Sequence, residues 1–68
     1  MNATKLKSKI IAKGLTIATT AELTGVNKST LYRKMSGREK LTVHDAVLLK
    51  DILGLTDLEA LDIFLSRE

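Results

Sequence analysis

Gly14, Gly25, Gly37 and Gly54 are the only glycines in a 68-residue chain that has neither proline nor cysteine, and they cut it into five segments of about a dozen residues. Each follows a stretch whose apolar residues recur at helical spacing, where a glycine in the left-handed conformation ends a helix. Nothing alternates with period two over a useful length, so no strand is predicted. The chain is expected to form one domain over residues 1–68, an all-α, compact five-helix bundle. A chain this short buries only roughly 60% of its unfolded surface. No disulfide or zinc–cysteine staple is available to it. Its stability must come from well-packed helices, helped by association. An apolar fraction of 44% argues against disorder.

The helix ends are legible in some detail. Helix 1 is read as about 3–13, with Leu6, Ile10 and Ile11 on one side and lysines around the rest. Thr16 caps helix 2, about 17–24, which buries Ala21 and part of Ile17 and Leu23. Gly25-Val26-Asn27 makes the turn, and Asn27 caps helix 3, about 28–36, with Leu31 and Met35 facing inward. Thr42 caps helix 4, about 43–53, where Val43, Ala46, Val47, Leu49, Ile52 and Leu53 are apolar. Thr56-Asp57-Leu58-Glu59 reads as a capping box opening helix 5, about 57–66.

Charge is distributed unevenly. Residues 1–40 hold nine basic and two acidic side chains, a net of +7, whereas residues 41–68 hold two basic and six acidic ones, a net of −4. One end therefore suits a polyanion and the other repels it. No apolar run approaches the roughly 20 residues of a membrane span, and Met1–Lys13 lacks the apolar stretch of a signal peptide. No membrane partner and a cytoplasmic location are expected. One histidine and no cysteine leave little material for an enzyme, and no cofactor or metal site is expected. His44 is read as part of the first turn of helix 4.

The segment from Thr20 to Arg33 carries the functional signal. Its spacing Ala-x3-Gly-x5-Leu places a small residue, Ala21, where helix 3 crosses helix 2, and a glycine, Gly25, where the turn needs a positive φ. That is the pattern of a helix-turn-helix, whose second helix lies in the major groove of DNA. With Leu31 and Met35 inward, the outward residues of helix 3 are Lys28, Ser29, Tyr32, Arg33 and Ser36, none of them acidic.

On these residues the chain resembles the Cro/C1-type (XRE) helix-turn-helix family of phage repressors, in the short single-domain form found in phages and mobile elements of Gram-positive bacteria. The likeness is carried by Lys5-Leu6-Lys7, by Lys13-Gly14-Leu15-Thr16 and above all by Gly25-Val26-Asn27-Lys28-Ser29-Thr30-Leu31-Tyr32-Arg33-Lys34-Met35. Leu41-Thr42-Val43, Gly54-Leu55-Thr56 and Ile63-Phe64 also fit, so that it spans roughly residues 5–65. The resemblance implies a lambda-repressor-like DNA-binding domain that occupies double-stranded operator DNA, usually as a homodimer on a two-fold site in the bacterial cytoplasm. The family commonly has a glutamine after the Thr16-like cap, which contacts the DNA backbone and braces a base-reading side chain. Ile17 stands there in this chain, and no other residue replaces that brace by spacing.

Roles by residue follow from position. Arg33 is expected to fork onto guanine O6 and N7, Lys28 to meet a base or a phosphate, and Ser29 to adapt to a base edge. Thr30 either touches a thymine methyl or packs against helix 2. Tyr32 either contacts a base edge or phosphate or plugs the rim of the core. Thr16, Thr19 and Thr20, near the start of helix 2, are expected phosphate contacts because free N–H groups and the helix dipole favour an anion there. Asn27 offers the same at helix 3, although capping alone explains it. Lys9, Lys13, Arg38 and Lys40 are expected to flank the groove, with Lys5 and Lys7 simply solvated. Helix 5 has more apolar surface than one core stripe needs. Leu58, Leu61, Ile63 and Phe64 are its expected dimer interface, unless the helix is deeply buried. The function expected is a sequence-specific transcriptional repressor. The competing reading is a protein-interaction module that uses helix 5 to bind another phage regulator.

Overall fold

The computed structural model describes residues 1–65. Among them are five helices and no strand: α1 (Ala3–Ala12), α2 (Ile17–Thr24), α3 (Lys28–Ser36), α4 (Val43–Leu53) and α5 (Asp57–Phe64). None is long and apolar enough to cross a membrane. The starts are set by side chains accepting from the third amide of each helix. Asn2 serves α1, Thr16 α2, Asn27 α3, Thr42 α4 and Thr56 α5. At α2, α4 and α5 the third residue (Thr19, Asp45 or Glu59) reaches back to the cap's own N–H, completing a capping box.

The stops share one geometry. After α1, α2, α3 and α4 the glycine N–H bonds the carbonyl three residues back, while the next residue's N–H bonds the carbonyl five back: Leu15 to Ile10, Val26 to Ala21, Arg38 to Arg33 and Leu55 to Lys50. That is the Schellman arrangement, which requires the left-handed backbone seen at Gly25 (φ 78°) and Gly37 (φ 85°). At three stops the residue after glycine is aliphatic and turns toward the interior. At the stop after α3 it is Arg38, which stays in solvent.

α1 packs on α2 and α5, α2 also on α3 and α4, and α4 on α5, within 26 × 25 × 20 Å. The central cluster is Leu6, Ile10, Leu49, Leu53, Leu55 and Ile63. Ala21 is buried where the sequence placed it, and Leu31 is 2% exposed. Several expectations are corrected here. Ile11, placed on the same side as Leu6 and Ile10, faces solvent; Leu23 is buried only in part, as expected, and Val43 and Val47 of α4, read simply as apolar, are exposed. Leu55, given no inward role by the sequence pattern, is core, because the stop before it delivers it inward. Ile63, assigned to a dimer surface, is 1% exposed and inside the cluster, so it has no surface to offer a second copy.

The two charged halves of the sequence fold against each other. Lys5 and Lys9, four apart on α1, meet Asp62 (2.6 Å) and Glu59 (2.5 Å) on α5. Lys34 of α3 reaches Asp45 of α4 at 2.6 Å in a mostly buried pair, and Lys50 reaches Asp57 at 3.1 Å. Burial raises the Asp45 carboxyl pKa, but hydrogen bonds from Lys34 and from the backbone and side chain of Thr42 outweigh it, so the net shift is downward. The Lys9 ammonium, with the backbone and side chain of Thr56, lowers Glu59 from 4.5 to about 2.

Candidate nucleic-acid interface

The outer face of α3 is fixed at both ends. The Asn27 side-chain oxygen accepts from the Thr30 N–H at 2.8 Å, Gly37 ends the helix, and Leu31 with half-buried Met35 holds the inner stripe. Helical periodicity then leaves Lys28, Ser29, Tyr32, Arg33 and Ser36 outside, and all five are exposed. Lys34 alone among the basic residues of α3 turns back into the bundle.

Tyr32 is 48% exposed, with the Lys28 ammonium 5.8 Å from its ring centre. Both line a groove of about 460 Å³ whose other walls include Lys7 and Ile11 of α1 and Thr16 and Ile17 of α2. The start of α2 thus shares one surface with the start of α3. The Thr16 hydroxyl accepts from the Thr19 N–H, and the Thr19 hydroxyl accepts from the Thr16 N–H. The N–H groups of Ile17 and Ala18 are left as first-turn donors without an intrahelical acceptor.

Arg33 is held by two acceptors. Its Nη2 donates to the Thr30 hydroxyl at 3.1 Å, and its Nε donates to the Glu39 carboxylate at 3.4 Å. Thr30 is half-buried and thus spends its oxygen on the arginine one turn later. Arg38 and Lys40, in the loop after α3, are exposed and have no ion-pair partner among the described residues.

Three expected phosphate contacts are not brought to this face. Thr20 is fully buried, and both its hydroxyl and its N–H donate to the Thr16 carbonyl, at 2.8 and 2.9 Å. Lys9 is bound to Glu59 on the α5 side of α1, since residues two apart on a helix point to opposite sides. Lys13 lies with its ammonium 3.6 Å from where a β-carbon at Gly54 would stand, at the end of α4. Lys7, read as merely solvated, joins the groove instead. Its signal in the sequence was its four-residue spacing from Ile11, which puts both on one stripe. Comparison with protein-family models, curated protein sequences and solved structures finds no match to the chain.

Proposed function

We propose that the protein is a sequence-specific double-stranded DNA-binding regulator of transcription. In this reading α2 and α3 act as a helix-turn-helix of the lambda-repressor-like kind, α3 enters the major groove, and the protein represses by occupying operator DNA, with no chemistry of its own. One observation carries it: the exposed side of α3 presents Lys28, Ser29, Tyr32 and Arg33 with no acidic residue of the helix among them. Lys7, Lys28, Arg38 and Lys40 are free to meet phosphates around it, and the open amides of Ile17 and Ala18 add a dipolar contact.

On another surface, Val43, Val47, Leu58, Leu61 and Leu65 are each half or more exposed. Val43, Val47, Leu61 and Leu65 line a groove of about 480 Å³ between α4 and α5, together with half-buried Phe64. The five exposed side chains offer on the order of 500 Å² of apolar surface, a patch size that is often functional. Two copies meeting there would bury roughly 1,000 Å², the lower bound of a specific interface. We assign this face to a homodimer that forms on a two-fold operator.

Sites selected from random duplex DNA, followed by binding titrations across salt concentration, test the reading. Affinity for the selected site should fall steeply with salt, with a logarithmic slope of about −3 to −4 per protomer from four phosphate contacts. Arg33→Ala should cost about 1–3 kcal/mol and relax one position, whereas Lys40→Ala should weaken all sequences alike and make the slope shallower by about 1. Weak, salt-insensitive binding to every duplex would transfer the function to the apolar face and make the chain a protein-interaction module.

A further inference from the structure

We infer that Glu39 and Thr30 are positioning residues that aim Arg33 end-on at a guanine, an inference that rests on the DNA-binding reading above. The loop after α3 is fastened to Arg33 itself. Both the Arg38 N–H and the Glu39 N–H donate to the Arg33 carbonyl, at 3.0 and 3.2 Å, once Gly37 has turned the chain. The backbone of Glu39 is therefore anchored to the residue whose side chain its carboxylate meets. Thr30 is fixed as well, because its own N–H is held by the Asn27 cap one turn before Arg33.

A guanidinium has five N–H donors. Glu39 takes the one on Nε, and Thr30 takes one on Nη2. Three remain, two on Nη1 and one on Nη2, so both terminal nitrogens keep a donor. That pair of nitrogens matches O6 and N7 of guanine, whereas the side-on approach through Nε is already occupied. The Arg33–Glu39 pair is about half exposed on both sides, so it adds little to stability. Its effect is directional. It restricts the arginine before DNA arrives, and its negative charge opposes use of Arg33 as a non-specific phosphate contact.

The test uses the selected duplex and a version in which the guanine read by Arg33 is replaced by adenine. Wild-type protein should prefer guanine by at least about 10-fold. Glu39→Ala should reduce that preference by roughly 3- to 10-fold while binding to unrelated duplex rises about 2-fold. Glu39→Gln removes the same charge but keeps an acceptor oxygen, and should retain most of the preference. Thr30→Val should reduce the preference without the gain on unrelated duplex. In the free protein, the Arg33 Nε–H NMR resonance should exchange more slowly than that of Arg38 and lose this protection in Glu39→Ala, with each variant's melting curve confirming that it is folded. Unchanged base preference in a folded Glu39→Ala overturns the inference, as does a wild-type Arg33 Nε–H that exchanges like Arg38's. A wild type that prefers no sequence, yet shows the protected Nε–H, overturns the functional reading and this inference with it, leaving only a surface ion pair.

Discussion

Lys7 and Lys9 are separated by one residue, yet they have different environments. Lys7 lines the groove beside Lys28 and Tyr32, while Lys9 is spent on Glu59. Lys7→Ala should weaken binding to every duplex and make the salt slope shallower by about 1, as expected of a lost phosphate contact. Lys9→Ala should leave the slope unchanged and lower the melting temperature instead. Fluorescence titrations at several salt concentrations, with a thermal melt of each variant, separate the two. The sequence already shows that Lys7 and Lys9 point apart, since helical phase is local. It does not show which of them joins the groove beside α3, because that depends on where α5 docks, some 50 residues later in the chain. Thr20 was misread for a related reason. A threonine in the first turn of a helix resembles an anion contact, but this one lies over the Thr16 carbonyl and faces the interior.

At the level of the helices, the ion pairs that bind α5 to α1 and α4 to α3 make the bundle sensitive to acid. Glu59 has a folded pKa of about 2 against an ordinary 4.5, and Asp45 is also lowered. For carboxyls shifted down, the stabilisation is fully present above the unfolded pKa and is lost as pH falls through the folded one. The melting temperature should therefore hold from neutrality to about pH 5 and then fall between about pH 4.5 and 2. Glu59→Gln should melt lower at pH 7 and show a shallower acid fall, measured by circular dichroism across that range; a curve parallel to wild type would remove Glu59 from the explanation. The extents of these helices were legible because their starts and stops are local: Thr16, Asn27, Thr42 and Thr56 begin them, and glycines end four of them. The partners of the acidic residues were not legible. Net charges of +7 and −4 suggested two separate regions, and only the folded positions of α5 on α1 and α4 beside α3 reveal that three of the six acidic residues of the second half pair with lysines of the first.

For the molecule as a whole, the exposed strip on α4 and α5 bears on assembly. Leu61→Asp should keep the fold, because Leu61 is already half exposed, while reducing the number of protomers bound per operator from two to one in sedimentation of the DNA complex. Unchanged stoichiometry would reassign that face. Sequence reasoning found the strip on helix 5 but included Ile63, because an eight-residue helix with apolar residues on several sides does not reveal its own inward phase. The four alike helix stops have a consequence for how the chain reaches this state. Each closes its hydrogen bonds within six residues, and of the turn and cap hydrogen bonds described only Asn2 N–H to the Ile63 carbonyl joins distant parts of the chain. Nearly all the backbone order is thus available before the ends of the chain meet, so little loop-closure entropy stands in front of the transition state. A bundle of this kind belongs among the fast folders, with relaxation in microseconds to milliseconds. Without a proline, it also has no slow prolyl isomerisation to delay a population newly released from the ribosome.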